Sequence, residues 1–260
     1  MPRPDGPPPP PPVQRLRLRY AKRGRLRFTS HRDFQRALER ALRRAEVPMA
    51  YSAGFTPHPK VSYANAASTG AASEAEYVEL QVAERCDPRA VRDALDEALP
   101  PGLDVLEVVE AGPGSVTDRL EASHWEIVLP GADPGEVAAA AAVFLAAEHV
   151  EVERLTKSGR RMLDAREPVV RLDLLEGDLA ASELGRVAAK AGRPCAILQM
   201  VVRHATPAVR PDDVLAALRT VADLAPPSPP QVTRLAQGPL DEATGTVADP
   251  LAADRDAAGT

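Results

Sequence analysis

The sequence contains few residues of the kinds that carry metal and redox chemistry. It has only two cysteines among 260 residues, Cys86 and Cys195, and neither stands at the spacing of a metal-binding motif. An iron–sulfur cluster needs a full set of cysteine ligands, so we expect this chain by itself to bind no cofactor and no metal. Isolated thiols are typical of a reducing compartment, which predicts a cytoplasmic protein.

Long apolar runs and common catalytic motifs are also missing. No run reaches the roughly 18 residues of a membrane helix, so we expect no association with a membrane. The chain has no glycine-rich phosphate loop, HExxH, CxxC or nucleophile elbow, and no such motif assigns a reaction to it. Aromatic residues make up 3% of the sequence, with Trp125 as the one tryptophan, so the core must consist mainly of Leu, Val and Ala.

The charges that are present are distributed unevenly. Residues 13–60 hold 13 of the 32 lysines and arginines and only three acids, Asp33, Glu39 and Glu46, for a net charge of +10. Residues 61–260 hold 18 basic and 33 acidic residues, for a net charge of −15. A basic first unit on an acidic body attracts a polyanion to one face and repels it from the rest.

The spacing of apolar residues predicts an α+β fold with two tandem ferredoxin-like units. Residues 13–20 alternate apolar and basic side chains, which indicates a strand with one buried face and one cationic face. Ser30, three residues before Asp33, is typical of a helix start, and Phe34 opens an apolar stripe at helical spacing. The predicted order is strand, helix, strand, strand, helix, strand, which is the split βαβ plan.

The second unit repeats this plan without close sequence identity to the first. Asp133 is the expected N-cap of a helix over residues 134–147, and further helices are predicted over residues 179–191 and 211–224. The chain then divides into a disordered proline-rich leader (1–12), a basic ferredoxin-like unit (13–111), a linker (112–122), a second ferredoxin-like unit (123–224) and a disordered tail (225–260).

The first predicted helix carries its arginines opposite its apolar stripe. Together with the basic residues of the first strand they could form one continuous cationic surface, which fits a polyanion or an acidic protein partner. The alternative is an ordinary solvated helix face. The arginines of this surface are Arg15, Arg17 and Arg19 on the strand and Arg32, Arg36, Arg40, Arg43 and Arg44 on the helix.

A proline-rich loop follows that helix at residues 55–60. Its two prolines hold His58 in an extended conformation, which makes the loop stiff and projects His58 and Lys60 towards a ligand. The alternative is a structural crossover between strands. His31, at the start of the helix, and His58 are the candidates for proton transfer, and no motif assigns either of them a catalytic role.

Aromatic residues are interleaved with this basic segment, and exposed ones could stack on nucleobases. They are Tyr20, Phe28, Tyr51, Phe55 and Tyr63.

A second group of basic residues surrounds Gly159. This pattern predicts an anion-binding hairpin in which Asp164 orients an arginine. The alternative is an exposed hairpin held by salt bridges. The candidate binding residues here are Lys157, Arg160, Arg161, Asp164 and Arg166.

Residues 28–33, 43–45, 51–64 and 73–79 resemble a bacterial family of radical-SAM-associated proteins, a domain of unknown function. Residues 157–160 and 164–166 fit the same family, and the resemblance covers about residues 13–224. It implies a radical SAM protein as partner, and that partner would carry the iron–sulfur cluster and S-adenosylmethionine.

The plan of two units also resembles that of the paired ferredoxin-like RNA-processing endonucleases of CRISPR systems, at the level of fold alone. The chain lacks the C-terminal glycine-rich loop of those proteins, which argues against cleavage.

We therefore expect an accessory or substrate-recognition subunit that works with a radical SAM enzyme and binds RNA or another anionic substrate. Two alternatives stay open at this point. One is a metal-independent RNA-processing endonuclease that uses His31 or His58, and the other is a protein–protein adaptor whose basic face meets an acidic partner.

Overall fold

The computed structural model describes residues 10–53, 55–156, 159–175 and 194–258. Two compact units are formed, one by Met1–Arg119 with Asp249–Thr260 and the other by Leu120–Ala248. The predicted α+β class is confirmed, since each unit combines a sheet with helices.

The described elements are, in chain order, β1 (Gln14–Lys22), α1 (His31–Arg44), β2 (Val61–Ala64), β3 (Ala72–Val82), α2 (Pro88–Ala98), β4 (Val105–Glu110), β5 (Ala122–Pro130), α3 (Pro134–Ala146), β6 (Glu151–Thr156), β7 (Gly159–Asp164), β8 (Val169–Leu174), β9 (Cys195–Arg203), α4 (Pro211–Ala222), β10 (Gln231–Gly238), β11 (Leu240–Asp241), β12 (Thr246–Val247) and α5 (Ala252–Ala258). Two short 3-10 helices span Gly24–Phe28 and Thr117–Arg119.

The first unit contains an antiparallel sheet in the order β4-β1-β3-β2. Alternate residues of β1 point to opposite faces of the sheet, as the sequence pattern predicted. Leu16 and Leu18 enter the hydrophobic core, where they join residues of α1 and α2 such as Leu38 and Leu95. Arg17, which is paired in register with Glu79 of β3, lies on the other face.

Helix α1 forms where the sequence predicts it. The Ser30 hydroxyl accepts a hydrogen bond from the Asp33 backbone N–H at 3.2 Å, so the predicted cap is confirmed. Phe34 is buried and stacks on Tyr20 of β1 with a ring-centroid distance of 4.2 Å. This contact and the burial of Leu38 fix which face of α1 meets the sheet, so the arginines on the opposite face point to solvent.

The second unit contains an antiparallel sheet in the order β10-β5-β9-β8, and β6 and β7 pair as a separate hairpin. Asp133 caps α3 by accepting the Glu136 backbone N–H at 3.0 Å, as predicted. The helix predicted over residues 179–191 lies outside the described residues.

The structure corrects the expectation that residues 225–260 lack regular structure. Strand β10 pairs with β5 along its length, and its Arg234 is buried with the guanidinium 5.4 Å from the Trp125 ring centroid. Helix α5 buries Asp254 in the first unit. Tertiary pairing and two buried charges therefore order a segment whose composition alone indicates disorder.

The predicted linker at residues 112–122 is also packed rather than open. Val116 is buried, and the Gly112 backbone N–H donates to the Asp254 carboxylate at 2.9 Å. A Cβ atom at Gly112 would lie 2.9 Å from the same oxygen, so a larger residue would displace the Asp254 carboxylate.

None of the helices in the described ranges combines the length and apolarity that a bilayer crossing needs.

Candidate functional site

The solvent side of α1 carries a row of exposed arginines, here called the arginine face: Arg32, Arg36, Arg40, Arg43 and Arg44. The one carboxylate within 4.0 Å of these side chains, among the described residues, is that of Asp33 beside Arg36, at 4.0 Å. Such cations keep their hydration and are available to an external anion. The prediction of an exposed cationic helix face is therefore confirmed.

The basic residues of β1 are not part of this surface, which corrects the expectation of one continuous cationic patch. Arg17 is completely buried, and one of its terminal nitrogens donates to both Asp254 oxygens, at 2.6 and 2.7 Å. Its Nε donates to Glu79 at 3.1 Å, and its other terminal nitrogen donates to the Gly114 carbonyl at 2.6 Å. All three nitrogens of the guanidinium therefore donate hydrogen bonds inside the protein.

Asp254 is the acceptor on which this buried network depends. Besides Arg17, it accepts hydrogen bonds from Arg119 at 2.8 Å and from the Gly112 backbone N–H. Burial alone would raise the pKa of Asp254, but the hydrogen bonds from Arg17, Arg119 and Gly112 outweigh it and lower the pKa below its ordinary value. Asp254 therefore stays ionised in the folded protein.

The other two arginines of β1 are also engaged. Arg15 donates to the Gly112 carbonyl at 2.8 Å, and Arg19 donates through Nε to the Glu74 carbonyl at 2.8 Å. Both side chains are half-buried and held by these contacts, in contrast to the exposed arginines of α1.

The proline-rich loop is a closed hairpin beside α1. Ser52 and His58 exchange two hydrogen bonds, from the Ser52 backbone N–H to the His58 carbonyl at 2.9 Å and from the His58 N–H to the Ser52 hydroxyl at 3.0 Å. The Lys60 N–H then donates to the Ala50 carbonyl at 2.8 Å. These bonds leave the His58 side chain exposed and Lys60 half-buried. Phe55 extends furthest into solvent, with 77% of its surface exposed.

A cleft of about 340 Å³ lies between the last turns of α1 and this loop. Leu42, Val47 and Met49 supply its apolar surface. Arg43 and His58, two residues predicted from the sequence as binding residues, line the same cleft. Lys60 is not among its lining residues.

His31 lies at the other end of α1. Its ring meets the Tyr63 ring edge-on with a centroid distance of 5.1 Å, and its Nε2 is 3.0 Å from the side-chain nitrogen of Gln35. Burial, helped by the negative charge of Glu39, raises the pKa of Tyr63 to about 12, so this phenol stays neutral. A catalytic role for His31 or His58 stays a prediction.

The β6–β7 hairpin presents part of the predicted second cationic group. Arg160 and Arg161 are exposed, and Arg160 pairs with Glu153 at 3.2 Å. Two apolar side chains share this exposed hairpin: Leu155 is 80% exposed and Met162 is 53% exposed. Lys157 lies outside the described residues.

No arginine side chain of the described ranges pairs with Asp164, contrary to the prediction. Asp164 accepts from the His149 ring Nδ1 at 2.6 Å and from the backbone N–H groups of Val150 and Arg166. Burial would raise the pKa of Asp164, but the His149 ring and these N–H groups lower it overall, while the same ring contact raises the pKa of His149.

Arg166, one of the predicted binding residues, makes structural contacts within its unit, and its binding role stays a prediction. Its guanidinium donates to the carbonyls of Val169, at 2.9 Å, and Leu145, at 3.3 Å. It also lies over the Phe144 ring, 5.8 Å from the centroid. These contacts tie the loop after β7 to the end of α3, so Arg166 fixes the hairpin to its unit.

Sequence reasoning did not single out the acids of the cleft, Glu39 and Glu46. A usable signal existed, because they are two of only three acids in the basic segment. Among the described residues, no group of three or more His, Cys, Asp or Glu side chains could hold a metal ion.

Fold and site together describe an α+β protein in which one helix presents a row of exposed arginines beside a small cleft. A family model described as an uncharacterized protein conserved in bacteria (DUF2344) matches residues 15–211. The chain belongs to this bacterial family of unknown function, and the match includes α1, the proline-rich loop and the β6–β7 hairpin. No curated protein matches the chain.

Proposed function

We propose that this chain is a substrate-recognition subunit that binds RNA through the arginine face of α1. The observation that carries the proposal is the absence of internal partners for these arginines among the described residues, with the exception of the 4.0 Å contact between Arg36 and Asp33. Arginines that stabilise a fold are paired, as Arg17 is. A solvent-facing row of unpaired arginines is what a polyanion-binding surface requires.

The geometry of the row favours an extended polyanion over a single phosphate. Arg32, Arg36 and Arg40 are four residues apart on one helix, so the row is about 12 Å long between its ends. A chain of phosphates can meet all of them at once, and each arginine can bind a phosphate oxygen through two N–H groups.

Exposed aromatic rings in the same unit favour a single-stranded polymer. Phe55 and Phe28 are both largely exposed, and Tyr51 is 40% exposed. Base stacking on such rings contributes about 1–3 kcal/mol per base and needs unpaired bases. An RNA single strand therefore fits this unit better than a duplex does.

We further propose that both units have the ferredoxin-like plan. What supports this is the strand order β4-β1-β3-β2 in the first unit and β10-β5-β9-β8 in the second. In each order the first strand of the unit lies between its third and fourth strands, as in a split βαβ arrangement, with β6–β7 as an added hairpin.

The partner in this proposal is a radical SAM protein, which would supply the iron–sulfur cluster and S-adenosylmethionine. The support is the resemblance of residues 54–60 and their surroundings to radical-SAM-associated proteins, together with the two unpaired cysteines. Affinity purification of the tagged chain from bacteria, followed by mass spectrometry, should recover a radical SAM protein. Its consistent absence would remove the partner from the proposal and leave RNA binding to be judged separately.

The RNA-binding proposal is tested by charge reversal on α1. Arg36→Glu/Arg40→Glu/Arg43→Glu should abolish binding of labelled single-stranded RNA in fluorescence anisotropy at one fixed salt concentration. The matched control is Arg85→Glu/Arg89→Glu/Arg92→Glu, which makes the same change in net charge at exposed arginines of the same unit. The control should retain binding. Equal loss in both variants, or no loss in the first, would contradict the proposed site.

A further inference from the structure

The cleft at the end of the arginine face has a charge unlike that of its surroundings. Residues 13–60 contain three acids, and Asp33 serves the N-terminus of α1. The other two, Glu39 and Glu46, both line the cleft. A segment with a net charge of +10 therefore places both of its remaining carboxylates along this one cleft.

These carboxylates are available to a ligand. Within the described part of the chain, neither Glu39 nor Glu46 has a lysine, arginine or histidine within ion-pair distance, and Arg43 lies on the same wall of the cleft without pairing to either. A phosphate in the cleft would meet two negative charges, so the cleft selects against the group that the arginine face attracts.

The rest of the lining suits a flat and neutral group. Leu42 and Met49 are buried at the base of the cleft, Val47 is half-buried, and the exposed rings of Tyr51 and His58 stand at the loop side. Polar groups therefore contribute more of the exposed lining than apolar groups do, and the two rings are the flat surfaces that a ligand would meet. A nucleobase is flat and neutral, with polar atoms confined to its edge.

We propose that the cleft accepts an unpaired nucleobase that carries an exocyclic amino group, while the arginine face holds the neighbouring phosphates; this rests on the RNA binding proposed above. The amino group of adenine, cytosine or guanine donates N–H groups that carboxylates accept. Uracil presents one N–H between two carbonyl oxygens, and those oxygens would face Glu39 and Glu46. The cleft therefore discriminates against uracil.

The test compares oligo(A), oligo(C) and oligo(U) of about 12 nucleotides, a length within the site size of single-strand binders. In anisotropy titrations, the wild-type protein should bind oligo(A) and oligo(C) about tenfold more tightly than oligo(U). Glu39→Gln/Glu46→Gln should remove this preference and also tighten oligo(U) binding, because two negative charges beside the phosphates are gone.

The matched control is Glu84→Gln/Asp118→Asn, which removes two exposed carboxylates of the same unit outside the cleft. It should keep the preference. Equal affinity of the wild-type protein for all three oligomers, or a preference that survives in Glu39→Gln/Glu46→Gln, overturns the base-selective cleft while RNA binding stands. Failure to bind any oligomer overturns RNA binding itself.

Discussion

Arg17 of β1 and Arg40 of α1 belong to the same basic segment, and the sequence pattern gives both to a cationic surface. In the structure Arg17 is completely buried and its hydrogen bonds go to Asp254, Glu79 and Gly114. Arg40 is exposed and has no carboxylate within ion-pair distance among the described residues. The two arginines therefore do different work, Arg17 in folding and Arg40 in the proposed binding.

The cause of the difference is desolvation. A guanidinium that leaves water loses several kcal/mol of hydration, and only a complete set of acceptors offsets that loss. The structure supplies this set to Arg17 from α5 and from the loop at Gly112 and Gly114. The net charge of +10 counts both kinds of arginine, so it overstates the charge that an external polyanion can meet.

The largest expected difference between the two arginines is in the free energy of unfolding when each is replaced by alanine. Arg17→Ala leaves Asp254 and Glu79 buried without their main cation, and should lower the free energy of unfolding by about 3–5 kcal/mol. Arg40→Ala removes an exposed side chain and should change it by less than about 0.5 kcal/mol. Urea denaturation followed by circular dichroism measures both. Similar losses in the two variants would show that burial does not separate them.

A smaller expected effect is the loss of stability at low pH that Asp254 causes. The folded pKa of Asp254 lies below its unfolded value of about 3.9, so its contribution to stability is present above that pH and is lost as pH falls through the folded pKa. Asp254→Asn should be less stable than the wild-type protein at neutral pH and should lose less stability between about pH 5 and pH 2. If the stability of the two proteins fell in parallel as the pH was lowered, the lowered pKa of Asp254 would not contribute to acid unfolding.

The start and the buried face of α1 can be predicted from the sequence because the interactions that define them are local. Ser30 and Asp33 mark the start of the helix, and the spacing of Phe34 and Leu38 defines its buried face, so the exposed position of the arginines follows from helical periodicity. The α+β class follows from the same kind of pattern.

The sequence is insufficient for Arg17 and Asp254, because 236 residues separate a strand from the helix that covers it, and periodicity carries no information on such pairs. The order of the segment around Gln231–Gly238 is hidden from the sequence for a related reason. Its prolines and small residues indicate disorder, but pairing with β5 and the contact of Arg234 with Trp125 order it. The partner of Asp164 is likewise not encoded in its spacing to the arginines, because the His149 ring and backbone N–H groups donate to it instead.

The most direct test of the account is the salt dependence of RNA binding. The logarithm of the affinity for a single-stranded RNA should fall linearly with the logarithm of the salt concentration, by about 0.7 for each phosphate contacted. Replacing Arg32, Arg36, Arg40 and Arg43 by alanine should reduce that slope by up to about 0.7 per arginine. The same slope in the wild-type protein and this variant would contradict the claim that the arginine face is the binding surface.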